Sequence, residues 1–474
     1  MNACLYARRR SNRADVRPTL LWFGLTVLLL SGLCVGALIA RTVAGEWLEL
    51  KMESARVRVL EMLPKPDQPD FVSTPMFSNA YVSARSTIAW SANRPTRTAT
   101  IIAPPTQTTA AVAALRLEQP TLVPNNRQGT RPADQPTNRP ADQPTSRPLD
   151  YLTSRPPDYP TIRPIQPAMQ LGGVVHEAQR FNNCGPTTLR MYLSFYQYTQ
   201  DTQIEIANVL KPNKDDRNVS PDELVGYARR KGFRALVRVN GDLERLKLLM
   251  SNNIPVMIEE GYDPPRAKQG WMGHYLLLTG YDETGITAQD SYNGPNQSVT
   301  WQALDGHWRN FNRTYLLVYT DVQAKVIDAI LGQDVDDATM YAQAAQRAQD
   351  EWNANPNDGF AAFNLGSSLV ALGEYEAAAQ AFDQARFLKL PWRMMWYQFG
   401  PYEAYYRVGR YEEVIALADT TLKPSGDLEE SYYYKGLALE KLGRTAEARA
   451  AFETALRYNA NYQAARRAFA ALKP

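Results

Sequence analysis

The sequence predicts a multidomain protein in which an α+β domain precedes an all-α repeat domain, after one transmembrane helix and a disordered, Pro-rich linker. Three observations support this organisation. Helical patterns give way to strand-like runs between 184 and 319, similar motifs recur with a period near 34 between 336 and 472, and the run 19–40 carries no charge. At 474 residues the chain is too long for one hydrophobic core, so two or more domains are expected.

The N-terminal segment predicts a membrane anchor. Residues 1–18 are rich in arginine, and the uncharged run 19–40 is long enough to span a bilayer as a helix. The basic cluster favours a single-pass protein of the cell membrane with a cytoplasmic N-terminus and extracytoplasmic main domains. A signal peptide cleaved near 42–44 is the alternative. Residues 41–63 predict a short juxtamembrane helix.

Residues 64–168 predict a disordered linker. They are rich in Thr, Ser, Ala and Pro, and an octapeptide that begins Arg131-Pro132-Ala133-Asp134 recurs through 131–167. This composition cannot bury enough apolar surface to fold, and the prolines favour an extended polyproline form. We interpret the segment as a spacer, with a drifting repeat under little constraint as the alternative.

The stretch 179–189 carries the strongest chemical signal. Cys184 is the only cysteine outside the first 40 residues, and Gly185, Pro186 and an apolar-periodic run follow it. Proline suits the first turn of a helix, so Cys184 is predicted at or just before a helix N-terminus. There the helix dipole favours a thiolate. Gln179 is placed to direct its side-chain amide at the same spot.

A nucleophilic cysteine needs a base, and the chain has three histidines. His274 opens a strand-like run, which a turn separates from a second run that ends at Asp290. Two adjacent antiparallel strands would bring Asp290 beside His274 and so supply a base and its orienting group. His176 is the rival base, and His307 is predicted to lie at the surface or in packing.

These residues resemble the papain-like fold and, within it, the C39-like peptidase family. The likeness depends on the Gln-x-x-Asn-Asn-Cys-Gly-Pro run, the Gly-His-Tyr strand opening and the aspartate that closes the next strand. It implies a peptidase domain at 169–322, with Gln179 in the oxyanion hole, Cys184 as nucleophile, His274 as base and Asp290 as orienting residue. The implied substrate is a peptide or protein, and no cofactor is implied.

Hydrophobic periodicity gives the elements around these residues. The predicted helices are 184–197, 201–210, 220–231, 242–250 and 301–308, and the predicted strands are 233–239, 254–258, 274–281, 286–290 and 315–319. The loop before His274 contains Trp271 and Met272, which are predicted either to line a substrate cleft or to pack the loop.

Residues 336–472 resemble tetratricopeptide (TPR) repeats. Gly366 and Gly436 lie 70 residues apart, as do Phe382 and Phe452, and small residues at fixed offsets allow two helices to pack closely. We assign repeats at 359–392, 395–428 and 429–462, with a half repeat before them and a capping helix after them. Pro401 falls where a helix interior is expected. The nearby aromatic residues are predicted to form core or groove wall, with a binding groove as the alternative (Trp392, Trp396, Tyr397, Phe399, Tyr402, Tyr405 and Tyr406).

These features predict a membrane-anchored extracytoplasmic cysteine peptidase whose repeats recruit a protein partner or substrate. A non-catalytic peptide-binding adaptor is one alternative, and an acyl transferase or amidase with the same site is another. The net charge of +3 is too small to argue for nucleic acid, and the sequence contains no phosphate loop, nucleotide fingerprint or metal-ligand cluster.

Overall fold

The computed structural model describes residues 160–264, 270–388 and 390–472. The predicted transmembrane helix at 19–40, the juxtamembrane helix and most of the predicted linker lie outside these described residues. None of the described helices combines the length and the apolar character that a bilayer span requires.

A seven-stranded antiparallel sheet forms the centre of the first region. Its strands are β1 (Met169–Gln170), β2 (Arg234–Arg238), β3 (Val256–Tyr262), β4 (Met272–Tyr281), β5 (Gly285–Asp290), β6 (Gly294–Thr300) and β7 (Tyr315–Tyr319). They lie in the order β2-β7-β3-β4-β5-β6, and β1 pairs with β4. For most strand ends, the predicted position lies within two residues of the observed one. Strands β1 and β6 were not predicted.

Helices cover both faces of the sheet. They are α1 (Cys184–Phe195), α2 (Gln203–Leu210), α3 (Pro221–Arg230), α4 (Leu243–Ser251), α5 (Trp301–Trp308) and α6 (Ala324–Leu331). On β4, Leu277 packs with residues of α1 to α3, whereas Leu276 and Leu278 pack with residues of α4 to α6. Because both faces are buried, β4 is apolar at successive positions instead of alternating between apolar and polar residues.

The second region is all-helical. Its helices are α7 (Asp337–Ala354), α8 (Gly359–Ala371), α9 (Tyr375–Phe387), α10 (Gly400–Arg407), α11 (Tyr411–Leu422), α12 (Glu429–Lys441), α13 (Thr445–Tyr458) and α14 (Gln463–Ala471). A Cβ atom on Gly366 would lie 2.7 Å from the ring of Phe382, and one on Gly436 would lie 2.5 Å from Phe452. The glycines therefore let the two helices of a repeat approach closely, which explains the pairs spaced 70 residues apart.

The middle repeat departs from the prediction at Pro401. A 3-10 turn (Trp392–Trp396) and the short helix α10 replace one long first helix. Because α10 begins at Gly400, Pro401 occupies its first turn, where the missing N–H costs little. The expectation that Pro401 falls in a helix interior is therefore wrong. Tyr402 and Tyr405 are fully buried, as expected for core residues.

The repeats contact the first region at several places. Asn364 donates a hydrogen bond to the carbonyl of Arg309, and Gln398 donates one to the carbonyl of Asn310. Further along the chain, Asn459 donates to the carbonyl of Leu210. These contacts come from three successive repeats, so the helical region packs against the sheet region along its length.

Candidate active site

Cys184 is the first residue of α1, as the proline signal predicts. Two residues before Cys184, Asn182 has a φ of 53°, a left-handed conformation that asparagine tolerates. This conformation turns the chain into the helix. A Cβ atom on Gly185 would lie 3.4 Å from the ring of Tyr275, so the first turn of α1 packs directly against β4. The half-buried thiol is thereby held at the positive end of the helix and at the sheet.

Gln203, at the start of α2, fixes the chain that leads to Cys184. Its Oε1 atom accepts hydrogen bonds from Asn183 Nδ2 at 2.8 Å, from Thr187 Oγ1 at 2.9 Å and from the Arg180 amide at 2.8 Å. Its Nε2 atom donates to the carbonyl of Ala178 at 2.9 Å. One buried side chain thus ties the stretch before the cysteine to the first turn of α1.

His274 and Asp290 are brought together by β4 and β5. Asp290 lies opposite Leu276, two residues along β4 from His274. His274 Nε2 lies 2.8 Å from Asp290 Oδ1, and the two residues are only 3% and 4% exposed. The bond uses Nε2, which leaves Nδ1 for the thiol of Cys184, and the imidazole and the thiol lie close enough for each to shift the pKa of the other.

The turn that follows β5 holds the carboxylate of Asp290. Its Oδ1 atom also accepts hydrogen bonds from the backbone amides of Tyr292 at 2.7 Å and Asn293 at 3.0 Å. Its Oδ2 atom accepts Asn293 Nδ2 at 2.7 Å. This is an Asx-type turn, in which an aspartate side chain bonds the backbone two and three residues later. The carboxylate therefore has a fixed orientation toward His274.

The same turn holds Gln179. The backbone N–H of Gln179 donates to the carbonyl of Ser291 at 2.8 Å. In return, Ser291 Oγ donates to the side-chain oxygen Oε1 of Gln179, also at 2.8 Å. The amide oxygen is thereby occupied, which leaves Nε2 as the free donor group of the side chain. Among the described residues, the hydrogen bonds of Gln179 run to Ser291 and none runs to Cys184.

The charges of the three central groups reinforce one another. Burial acts to raise the pKa of the Cys184 thiol, but the hydrogen bond and charge of His274, together with Lys211, lower this pKa below its ordinary value. Burial disfavours the imidazolium, yet Asp290 and Cys184 raise the pKa of His274 well above its ordinary value. Although burial opposes it, His274 holds the pKa of Asp290 well below its usual range. The arrangement therefore favours a thiolate, an imidazolium and a carboxylate.

The other two histidines have different contacts. The Nε2 atom of His176 lies 3.0 Å from the backbone carbonyl of Asp290, so this ring braces the end of β5. His307 lies 3.6 Å from Glu260 and stacks on Tyr262, as expected for a residue at the surface or in packing. The histidine that lowers the pKa of the Cys184 thiol is His274.

The repeats supply one wall beside the site. The ring of Trp271 packs against Phe311, Phe360 and Tyr397, which confirms the loop-packing interpretation of this tryptophan. A Cβ atom on Gly273 would lie 3.0 Å from the Tyr397 ring. Tyr397 belongs to the middle repeat, so a residue of the helical region lies directly against the strand position that precedes His274.

Sequence reasoning missed several residues that organise the site. Ser291 and Asn293 follow Asp290 directly, and the pattern Asp-Ser-Tyr-Asn is a recognisable turn signal that could have identified them. Gln203 and Tyr397 have no comparable signal, because they reach the site through long-range packing. Among the described residues, no group of three or more His, Cys, Asp or Glu side chains could hold a metal ion.

Comparisons with known families agree with this architecture. Residues 165–316 match the model of the Peptidase C39 like family. Tetratricopeptide repeat models match 361–385 and 429–462. The resemblance inferred from the motif around Cys184 and from the repeated glycines is thereby confirmed.

Solved structures give more distant matches. A protein described as a C39-like peptidase from Bacillus anthracis is 16% identical, with 33% of this chain and 98% of that chain covered and a TM-score of 0.27. MamA from Desulfovibrio magneticus RS-1 is also 16% identical, with 32% of this chain and 93% of that chain covered and a TM-score of 0.25. No curated protein matches the chain. Residues 165–316 therefore match the C39-like peptidase family, and tetratricopeptide repeats follow them between 361 and 462.

Proposed function

We propose that this protein is a cysteine peptidase that hydrolyses peptide bonds at Cys184. The observation that carries the proposal is the buried bond between His274 and Asp290, with the Cys184 thiol at a helix N-terminus and close enough to the imidazole for each group to shift the pKa of the other. A nucleophile bonded to a base, which a third group orients, is the arrangement that acyl transfer requires. An inert buried cysteine would need none of these partners.

In the proposed first step, the Cys184 thiolate attacks the carbonyl carbon of the scissile peptide bond. The sulfur–carbon bond forms, and the carbonyl oxygen becomes an oxyanion. The backbone N–H of Cys184 and the Nε2 group of Gln179 donate to this oxygen, because the first amides of a helix lack intrahelical acceptors. Ser291 supports the geometry by holding the other end of the Gln179 amide.

Collapse of this intermediate breaks the carbon–nitrogen bond. His274 gives the proton on Nδ1 to the departing amine, which leaves a thioester on Cys184 and a neutral imidazole. His274 then takes a proton from water as the water attacks the thioester, and the carboxylic acid and the thiolate are released. Asp290 keeps the ring in one tautomer throughout, because its bond occupies Nε2.

Hydrolysis of a peptide library by the full chain tests the proposal. Wild-type protein should generate new peptide termini, and Cys184→Ala should abolish them while the protein stays folded. Alkylation of Cys184 before the assay should have the same effect. A wild-type protein that reacts with thiol reagents but cleaves no peptide would instead support the non-catalytic adaptor. Transfer of the acyl group to an added amine in preference to water would support the acyl transferase.

We further propose that the N-terminal segment anchors the peptidase outside the cytoplasm and that the repeats bind a protein. The support is the uncharged run 19–40 with its preceding arginines, and the match of the helical region to protein-binding repeats. Protease added to intact cells should release the main domains. Their full protection, together with release after lysis, would refute this orientation.

A further inference from the structure

We propose that Arg217 and Arg393 form a carboxylate-binding subsite beside the active site, shared between the sheet region and the middle repeat. This inference rests on the proposed peptidase function and names the chemical class of its substrate, a peptide with a carboxylate close to the cleaved bond. Three observations carry it: the geometry of the cluster, the lack of a counter-ion, and its position relative to Cys184.

The cluster is built around Trp396. The guanidinium carbon of Arg217 lies 4.9 Å from the centre of the Trp396 ring, and that of Arg393 lies 5.2 Å from it. Arg393 also lies 5.1 Å from the ring of Trp392 and donates through Nη1 to the carbonyl of Trp271 at 3.4 Å. Aromatic faces hold the planar guanidinium groups in position without neutralising their charge.

The two arginines lack the acidic partners that other arginines between the regions have. Arg309 pairs with Asp358, Arg313 with Glu351, and Arg238 with Asp337. In contrast, no described carboxylate forms an ion pair with Arg217 or Arg393.

The lack of a described acidic partner is energetically costly for Arg393, because this residue is only 9% exposed. Burial lowers the pKa of Arg393, Tyr397 and Asp263 act to raise this pKa, and the charge of Arg217 acts to lower it, with a lowered pKa as the net result. The Nε atoms of both arginines and the Nε1 atom of Trp396 have no hydrogen-bond acceptor among the described residues. Buried charges and donors are ordinarily paired, so a cluster of donors alone calls for an anion.

Tyr397 connects the cluster to the reactive cysteine. Burial raises the pKa of Tyr397 to about 12, and the charges that act on this residue come from Arg393, Cys184 and Arg217. Its ring also packs against Gly273, next to His274. A peptide bound at Cys184 would therefore extend past Tyr397 toward the two arginines.

A carboxylate matches this cluster in charge and shape. Guanidinium groups bind planar carboxylates through paired hydrogen bonds, and a peptide offers that group at its C-terminus and on Asp and Glu side chains. Both sources share one chemistry, and the experiment distinguishes them.

Binding is measured first, on full-length protein with Cys184→Ala, so that it does not depend on turnover. The probe is a peptide library from a digested proteome, used either unmodified or with every carboxyl group converted to an amide. The protein should retain the unmodified library about 10- to 100-fold better, as expected for charge-assisted hydrogen bonds. Adding Arg393→Gln should remove the difference, and Arg393→Lys should restore part of it. Arg444→Gln, at an exposed arginine paired with Glu447, is the matched control and should change nothing.

Synthetic versions of the retained peptides identify the source of the carboxylate. Each is made with a free or an amidated C-terminus, and with Glu or Gln at internal acidic positions. Loss of binding on C-terminal amidation assigns the subsite to the peptide terminus, and loss on Glu-to-Gln exchange assigns it to an acidic side chain. If neither exchange weakens binding, the carboxylate subsite does not exist. Arg217→Gln serves as a second variant in case Arg393→Gln lowers the thermal unfolding midpoint.

Hydrolysis by the protein with Cys184 intact then separates this inference from the proposed function. Preferential cleavage of carboxylate peptides, with a KM that rises about 10- to 100-fold in Arg393→Gln, supports both. Cleavage that ignores carboxylates and is unchanged in Arg393→Gln overturns the subsite and leaves the peptidase function standing. Carboxylate-dependent binding without any hydrolysis leaves the subsite standing and overturns the peptidase function.

Discussion

Replacing Asp290 with asparagine tests whether a buried negative charge maintains the reactive state of Cys184. Asparagine retains Oδ1, so it can keep the bonds to His274 and to the amides of Tyr292 and Asn293. Only the bond between Asn293 Nδ2 and Oδ2, 2.7 Å in the wild type, loses its acceptor. The substitution therefore removes the charge and nearly preserves the geometry.

The magnitude follows from the 2.8 Å contact between Asp290 and His274, both of which are buried. Loss of an adjacent carboxylate lowers the pKa of a histidine by roughly 1–3 units, and each unit reduces the thiolate–imidazolium population about tenfold. Alkylation of Cys184 by neutral iodoacetamide should therefore slow by about tenfold or more in Asp290→Asn near neutral pH, because a weaker imidazolium leaves more of the thiol protonated. Peptide hydrolysis should fall by roughly 10²–10⁴.

Asn293→Ala is the matched control. It removes the same bond to Oδ2, together with a bond to Tyr262 of 3.2 Å, but retains the carboxylate. Its alkylation profile between pH 4 and pH 9 should stay close to that of the wild type. If Asp290→Asn also alkylates with the wild-type profile, the carboxylate does not stabilise the imidazolium, and this explanation of the site is wrong.

Three further predictions concern the oxyanion donor, the interface and the repeats. Gln179→Ala should leave alkylation intact but slow hydrolysis by roughly 10²–10³, and equal losses in both assays would contradict the donor role. Glu430 accepts a hydrogen bond from Asn218 of the sheet region, and burial raises its pKa well above the ordinary value, so the native protein retains a proton that the unfolded chain releases, and stability falls as pH rises above about 4. Urea titrations at rising pH from pH 5 should therefore show a loss of stability, to which this carboxyl contributes at most about 1.4 kcal/mol per pH unit, and the loss should be smaller in Glu430→Gln, whereas identical slopes would exclude this carboxyl. Gly436→Ala should destabilise the chain by about 1–3 kcal/mol through contact with Phe452, whereas Gly306→Ala, where a Cβ meets nothing within 4 Å, should not, as thermal unfolding would show.

Local signals in the sequence predicted the central residues of the site well. Pro186 marked the helix that begins at Cys184, and a strand, a turn and a second strand predicted that Asp290 would reach His274. Both signals act within about twenty residues, so hydrophobic periodicity and turn chemistry could reveal them. The catalytic roles of these residues stay predictions until activity is measured.

Other features could not be read from local patterns. Strand β6 alternates weakly and contains Pro295, so its polar residues resemble a loop, although it pairs with β5 at the sheet edge. Gln203 and Tyr397 act on a stretch of chain that is distant in sequence, and one sequence contains no periodic signal for such contacts. The repeat period predicted a helix interior at Pro401, where proline would be unfavourable. In the structure the helix begins at Gly400, so Pro401 lies in its first turn, where proline is tolerated.

The bond from Asn459 to the carbonyl of Leu210 has a consequence for how the protein is made. The two residues are 249 positions apart, and a ribosome adds about 5–20 residues each second. The end of α2 is therefore synthesised roughly 12 to 50 seconds before the repeat residue that binds it. Before this interval ends, Cys184, His274 and Asp290 have all been synthesised, yet Leu210 still lacks its hydrogen-bond donor. A chain released before residue 459 would contain every proposed catalytic residue but lack the bond from Asn459 to Leu210.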